Sequence, residues 1–390
     1  MRARDPKLGR RPLWAIAWLL ALTAVLALAA CGGDDEVGGG GEERETQVAE
    51  SGPARGNLTI SNWPGYIDKG PNGTVAEFQD ETGVNVDYNE DINDNVDFFG
   101  RLRPQLEQGQ SGGRDIFIVT DWMAKQMHDL GYLQEIDHDD LGTVFDNMLP
   151  SLREPSFDPE RKFSVPWQSG MTGIMVNTRL APDLRSVNDM LDDDRYSGRI
   201  TMLTELRDTV PLVLKADGID PEDASKEDWL NAIDRLQQAV DSGQIRDFTG
   251  NEYTQDMANE NVVAAIGWSG DAALIDNEDV EWRMPAEGCT LWSDNMVIPV
   301  GASNTAAALE WMNFVYQPRV QADIAQFVEY VTPVQGVADV LRQRNPELAE
   351  NDLIFPDEEF TDECSTQPDP PGDAEDRQEV TEAFQDLVTQ

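Results

Sequence analysis

Short apolar runs alternate with amphipathic segments from residue 57 onward, and this alternation constrains the fold more than any other feature of the sequence. Residues 58–60 and 84–88 have the pattern of strands, and the continuous apolar run 115–119 suits a strand buried on both faces. Between them, residues 74–82 and 93–108 have the spacing of helices. This succession predicts an α/β architecture with its functional loops at the carboxyl ends of the strands.

The same alternation resumes after Gly170. Ser225 and Asp228 have the spacing of a capping box, which predicts a helix start, and Gly243 is placed to end that helix. The predicted strands of this half are residues 174–177, 199–202, 264–268 and 296–299. The chain is therefore long enough, and regular enough, for two α/β units with full cores.

The N-terminus has the features of an export signal. Basic residues precede an apolar run over residues 13–30, which ends Leu28-Ala29-Ala30 before Cys31. Small residues before a cysteine are typical of a lipoprotein cleavage site. We expect Cys31 to carry lipid and to anchor an exported protein to the outer face of the cell membrane, or the periplasmic side. The alternatives are a membrane span or a core cysteine, but no basic flank follows the apolar run.

Residues 31–56 contain glycines and acidic residues and almost no large apolar side chains. Such a segment cannot bury a core. We therefore predict a flexible tether over 31–56, with the folded body beginning at Asn57.

The chain carries 74 acidic and 29 basic residues. A surface of this charge disfavours nucleic acid and anionic lipid as partners and favours a cationic ligand, although acidic surfaces also serve solubility. The two histidines, His128 and His138, lack a catalytic context, and no phosphate-binding glycine loop or metal-ligand spacing occurs. The sequence therefore predicts neither an enzyme nor a bound cofactor.

The chain has three cysteines. If Cys31 carries lipid, Cys289 and Cys364 remain. Two remaining cysteines in an oxidising compartment usually pair, so we expect a disulfide between them.

Several motifs occur in an order that resembles the spermidine/putrescine-binding proteins of polyamine ABC importers. The resemblance covers residues from about 57 to 356, and no single motif is diagnostic. The motifs are Asn62-Trp63-Pro64-Gly65-Tyr66-Ile67, Thr120-Asp121-Trp122, Val165-Pro166-Trp167, Gly267-Trp268-Ser269-Gly270, Leu291-Trp292-Ser293-Asp294 and Tyr330-Val331-Thr332-Pro333.

The resemblance implies a two-lobed, type II periplasmic-binding-protein-like fold with its ligand in the cleft between the lobes. One lobe would comprise residues 57–170 plus 293–338, and the other residues 171–292 plus 339–390. It also implies a monomer that delivers a polyamine to an ABC permease in the membrane.

Matching the family motif residue by residue implies a site of aromatic walls and carboxylates. The carboxylates would be Glu205 and Asp208, whose spacing places both on one face of a helical turn, together with Asp294. Thr120 would add a hydroxyl. The aromatic walls would be Trp63, Tyr66, Trp122, Trp268, Trp292 and Tyr330. Aromatic faces attract ammonium groups and carboxylates bind them by charge-assisted hydrogen bonds.

Other interpretations of these residues remain open. A lone tryptophan usually packs in a core, and any one acid of so many is usually a solvated surface charge. The same fold could bind another organic cation or an amino-acid-like solute, since Pro64 and Trp122 depart from the family pattern. A lipoprotein sensor that feeds no permease is a further alternative.

Overall fold

A computed structural model describes residues 46–390. The predicted cleavage site and Cys31 lie outside these residues. The strands are β1 (Asn57–Asn62), β2 (Asn85–Glu90), β3 (Ile116–Thr120), β4 (Val165–Asn177), β5 (Ile200–Leu203), β6 (Ile245–Thr249), β7 (Ala264–Trp268), β8 (Val280–Arg283), β9 (Cys289–Val297) and β10 (Cys364–Thr366).

Helices surround these strands. They are α1 (Thr74–Thr82), α2 (Asn95–Leu106), α3 (Asp121–Asp129), α4 (Gly142–Asn147), α5 (Val187–Asp192), α6 (Leu206–Ala216), α7 (Lys226–Asp241), α8 (Tyr253–Ala258), α9 (Thr305–Val315), α10 (Pro318–Val328), α11 (Val337–Arg344), α12 (Glu358–Thr361) and α13 (Ala374–Val388). Within residues 46–390, none of these helices combines the length and apolar character needed to cross a membrane.

Two of the predicted helix boundaries follow directly from local chemistry. α1 ends at Gly83, which adopts a left-handed conformation with φ 72°. α7 begins at Ser225, which accepts a hydrogen bond from the Asp228 backbone, while the Asp228 side chain bonds back to Ser225. Both boundaries are as predicted, because each depends on residues close together in the sequence.

Two sets of parallel strands are joined by a central antiparallel pair. The order is β2-β1-β3-β9-β4-β7-β5-β6, with β8 paired to β4 and β10 paired to β9. β2, β1 and β3 are parallel, as are β7, β5 and β6. The long strands β4 and β9 pair with each other and antiparallel with β7 and β3, respectively. This arrangement confirms the predicted α/β class.

The lobe boundaries predicted at 170/171 and 292/293 fall inside β4 and β9. Gly170 and Trp292 are partners in the register of these two strands. The proposed crossings between lobes would therefore lie side by side at the centre of the sheet. The division into two lobes itself stays a prediction.

The predicted disulfide is confirmed. Cys289 and Cys364 are bonded, and they are also register partners of the parallel β9–β10 pair. The acidic segment around Cys364 is therefore attached to the central strand β9, and it returns the chain to the middle of the sheet.

The predicted tether is wrong at its C-terminal end. The Ala49 backbone donates to the Glu135 carbonyl at 2.8 Å, and the Glu135 backbone donates to the Gln47 carbonyl at 2.7 Å. Asn304 donates from its side chain to the Arg55 carbonyl at 2.7 Å. Ala49 is only 3% exposed. Composition concealed this packing because the segment bonds through its backbone rather than through apolar side chains.

Candidate functional site

A cavity lies beside the central strands, and most of the predicted site residues line it. The predicted residues that line it are Trp63, Tyr66, Thr120, Glu205, Asp208, Trp268, Trp292, Asp294 and Tyr330. The lining residues that the sequence prediction omitted are Pro64, Asn95, Asn251, Asp271 and Gln367. Trp122 is the predicted site residue that does not line it.

The aromatic walls form two groups of packed rings. Trp63 follows β1 and packs edge-to-face on Trp268, the last residue of β7, with 5.6 Å between ring centroids. Tyr330 packs edge-to-face on Tyr66 at 5.2 Å and lies 5.3 Å from the ring of Trp292 on β9. Strand ends from both parallel sets of the sheet therefore contribute to one wall.

Gly170 leaves room for this wall. A Cβ atom at Gly170 would lie 2.5 Å from the Trp292 ring and 2.9 Å from the Tyr330 ring. Any side chain there would displace both rings. The absence of a side chain at Gly170 is thus a requirement of the aromatic wall.

Asp294 lies on β9 and is held by two hydroxyl groups. Thr120 donates to its Oδ1 at 2.9 Å, and Tyr66 donates to its Oδ2 at 3.1 Å. Thr120 directly precedes α3, and its backbone pairs with Asp294 across the β3–β9 ladder. Burial raises the pKa of Asp294 to about 7, with further contributions from the charges of Asp121 and Asp208, although the two hydroxyls oppose the shift.

Asp208 lies in the first turn of α6. Its Oδ1 accepts hydrogen bonds from the Thr172 hydroxyl and, at 2.7 Å, from the Gln367 side-chain amide. Burial raises the pKa of Asp208 to about 6, while these donors oppose the shift. Gln367 lies shortly after Cys364 of the disulfide, and its backbone donates to the Leu291 carbonyl at 3.1 Å.

Glu205 is the N-cap residue of α6. Its Oε1 accepts from the Asn95 backbone at 2.7 Å and from the Asn95 side-chain amide at 2.9 Å. Burial raises the pKa of Glu205 well above its ordinary value, and the charges of Asp94 and Asp208 add to the shift. Asn95 also donates to the Thr120 hydroxyl at 3.0 Å, which links the Glu205 side of the cavity to the Asp294 side.

Asp271 is a fourth cavity carboxylate that sequence reasoning missed. Tyr253 donates to its Oδ2 and Tyr330 to its Oδ1, each at 2.6 Å. Burial raises the pKa of Asp271 and outweighs these hydroxyl donors. The available signal was its position directly after the motif Gly267-Trp268-Ser269-Gly270. Asp271 therefore orients the Tyr330 ring that forms part of the wall.

The cavity is rich in hydrogen-bond acceptors and carries no side-chain cation. Its lining contains four carboxyl groups, and no lysine or arginine of the described residues lines it. The buried oxygens Gln367 Oε1 and Asn251 Oδ1 accept no hydrogen bond within residues 46–390. Buried carboxylates without cations are unfavourable, so the site suits a ligand that brings positive charge and hydrogen-bond donors.

Trp122 was predicted as an aromatic wall, but it does not line the cavity. The Arg207 guanidinium lies over its ring, with the guanidinium carbon 3.9 Å from the ring centroid. Trp122 instead borders a neighbouring groove outside the cavity. Arg207 occupies the ring face that would otherwise be offered to a ligand.

The family model described as bacterial extracellular solute-binding protein matches residues 73–356. The chain belongs to this family. The spermidine/putrescine-binding periplasmic protein of Escherichia coli is 27% identical over 310 residues, covering 77% of this chain and 84% of that protein. The putrescine-binding periplasmic protein PotF of Escherichia coli is also 27% identical, over 321 residues that cover 77% of this chain and 83% of that protein.

Solved structures of the same fold agree with this assignment. The spermidine/putrescine ABC transporter substrate-binding protein of Streptococcus pneumoniae superposes with a TM-score of 0.68 at 26% identity, covering 85% of this chain and 98% of that one. The TpPotD lipoprotein of Treponema pallidum superposes with a TM-score of 0.69 at 20% identity, covering 85% and 99%, which supports the fold alone. This extracellular solute-binding protein therefore has the predicted periplasmic-binding-protein-like fold, and its relatives bear the names of binding proteins rather than of enzymes.

Proposed function

We propose that this protein captures a linear polyamine such as spermidine or putrescine and delivers it to an ABC permease. The observation that carries the proposal is the cavity of four buried carboxyl groups between aromatic rings, with no lining cation among the described residues. A polyamine combines ammonium groups with a thin methylene chain. Carboxylates bind the first and aromatic faces pack against the second.

The positions of the acids suit a ligand with charges at both ends. Asp294 lies on β9, whereas Glu205 and Asp208 belong to the start of α6. One carboxylate cannot neutralise two ammonium groups separated by several methylenes, and an unpaired ammonium in a closed site is unfavourable. We infer that Asp294 and the Glu205/Asp208 pair hold opposite ends of the ligand. The names of the relatives support the same ligand class.

We further propose that the mature protein is a monomer anchored by lipid on Cys31 at the outer face of the membrane. The support is the apolar run that ends at Cys31 and the extracellular family to which the chain belongs. Residues 31–45 of the predicted tether lie outside the described residues, and the chain contacts the folded body from Gln47 onward.

Isothermal titration calorimetry of residues 46–390 tests the ligand class. Putrescine, spermidine, agmatine, γ-aminobutyrate and a neutral sugar form a suitable panel. We expect a dissociation constant in the micromolar range, about −8 kcal/mol, for at least one polyamine and no heat from the sugar. A response to the sugar or to the amino acid, with none to any polyamine, would exclude the proposal.

A further inference from the structure

Trp122 and Arg207 form a cation–π contact outside the cavity. The guanidinium carbon is 3.9 Å from the ring centroid. The Arg207 side chain is 14% exposed and Trp122 is partly buried, so the stack is partly shielded from water. Cation–π contacts strengthen when they are desolvated.

The two partners occupy elements that carry opposite sides of the cavity. Trp122 is in the first turn of α3, two residues after Thr120, which donates to Asp294. Arg207 is in the first turn of α6, between Glu205 and Asp208. In the sheet, β9, β4 and β7 separate β3 from β5, the strands that precede these helices. The stack therefore joins the Asp294 side of the cavity to the side that carries Glu205 and Asp208.

The C-terminal segment orients Arg207. Two guanidinium nitrogens, Nε and Nη2, donate to Oδ1 of Asp369 at 3.2 and 2.7 Å. Asp369 follows β10, which is attached to β9 by strand pairing and by the disulfide Cys289–Cys364. Since the Asp369 side chain is 63% exposed, its ion pair contributes little energy by itself and serves to direct the guanidinium.

We propose that Trp122 and Arg207, oriented by Asp369, form a clasp that holds the Asp294 side and the Glu205/Asp208 side of the cavity together around a bound solute and slows its release. This inference rests on the proposed function, and it makes Trp122 and Arg207 positioning residues rather than ligand contacts. The hydrogen bonds from Asn95 to Glu205 and from Thr204 to Asp94 bridge the same gap. The clasp adds a cation–π contact to these hydrogen bonds, and neither of its two residues lines the cavity.

Stopped-flow tryptophan fluorescence of the purified protein with spermidine separates association from release. Trp63, Trp268 and Trp292 line the cavity and remain as reporters. Trp122→Leu, which changes no charge, should raise the release rate roughly five- to thirty-fold and change the association rate less than about two-fold. Trp122→Phe keeps an aromatic face and should restore most of the slow release.

Arginine variants distinguish a clasp from an electrostatic effect. Arg207→Lys keeps the charge but loses the planar guanidinium, so it should speed release as Trp122→Leu does. Arg207→Ala removes a positive charge beside the site. Loss of this charge alone would slow the release of an amine, because a repulsive charge is gone. Loss of the clasp would instead speed release. The double variant Trp122→Leu/Arg207→Lys should release spermidine no faster than the single variants do.

Arg235→Lys is the matched control. Arg235 is a partly buried arginine on α7 that pairs with Asp192 and Asp217 away from the cavity. It should leave the release rate unchanged. Unchanged release in Trp122→Leu, slower release in Arg207→Ala, or additive effects in the double variant would overturn the clasp. A wild-type protein that binds no amine would instead overturn the proposed function. The clasp would then be tested by measuring, in the same variants, the release rate of whichever solute the calorimetry panel identifies.

Discussion

Thr120 donates a 2.9 Å hydrogen bond to Asp294, a buried carboxyl whose pKa is raised to about 7. The hydroxyl stabilises the ionised form, yet burial prevails. Burial therefore favours the protonated form of this carboxyl relative to an exposed aspartate, and a bound ammonium would favour its ionised form.

Amine affinity should fall as the pH is lowered through the pKa values of Asp294 and Asp208, about 7 and about 6. Only the ionised carboxylates attract an ammonium group, so protonation competes with the ligand. Between pH 8 and pH 5.5 we expect the dissociation constant for spermidine to rise at least about tenfold. Calorimetry in buffers of different ionisation enthalpy should also detect proton release on binding near pH 7.

Asp294→Asn should bind every amine more weakly, by roughly 2–5 kcal/mol, and should flatten this pH profile. Asp80→Asn is the control, because Asp80 is an exposed residue of α1. A pH profile in Asp294→Asn that matches the wild type would contradict the assigned role.

The ligand-free protein should lose stability as the pH rises from about 4 to about 7 through the raised pKa values of Asp208 and Asp294. Both pKa values lie above those of the unfolded chain, so the folded state binds more protons in this window and the free energy of unfolding decreases with pH. Thermal unfolding of the wild type and of Asp294→Asn checks this. The variant should lose part of the slope, and equal slopes would refute the contribution of Asp294.

Replacing Glu205 and Asp208 together, as Glu205→Gln/Asp208→Asn, should change the ranking of amines by length. The variant keeps Asp294, which holds one end of the ligand, and removes the acids assigned to the other end. A diamine and a triamine should therefore lose affinity to different extents. Competition between putrescine and spermidine measures the ranking. Equal losses of affinity for all amines would show that these acids do not bind the second ammonium group of the ligand.

Cys289→Ser/Cys364→Ser should lower the free energy of unfolding by roughly 4 kcal/mol, because the disulfide closes a long loop in the unfolded chain. The sequence separation of the two cysteines is 75 residues. Amine affinity should also fall, since Gln367 is positioned on Asp208 by the attached segment. Denaturant unfolding and calorimetry report the two effects. A dithiol reductant should reproduce both effects in the wild type. An unchanged free energy of unfolding and an unchanged amine affinity, in the variant and in the reduced protein, would contradict the role of the disulfide.

Cys31 should be acylated in cells, and Cys31→Ser should release the protein from the membrane fraction or leave it unprocessed. The reason is that lipid on a cysteine replaces the removed apolar segment as the anchor. Mass spectrometry of the membrane-bound protein is the measurement. An unmodified Cys31 in that fraction would be inconsistent with lipid anchoring.

Sequence reasoning named most of the residues that line the cavity, because many of them come from short motifs at strand ends. Trp63, Trp268 and Trp292 lie where β1, β7 and β9 bring them to the cavity. Asp271 was missed because its importance depends on Tyr253 and Tyr330, which reach it only after folding. Trp122 was assigned to the wall because local sequence cannot show that Arg207 covers its ring.

The amino-acid sequence by itself determined the α/β class, the helix caps at Ser225 and Gly83, and the pairing of the two cysteines within the folded part. These features depend on side chains close together in the chain, or on elimination among few candidates. Tertiary structure alone decided that the chain packs from Gln47, that Asp271 joins the cavity, and that Trp122 lies outside it. Each of these outcomes depends on contacts between distant segments, which form only when burial and hydrogen bonding bring those segments together.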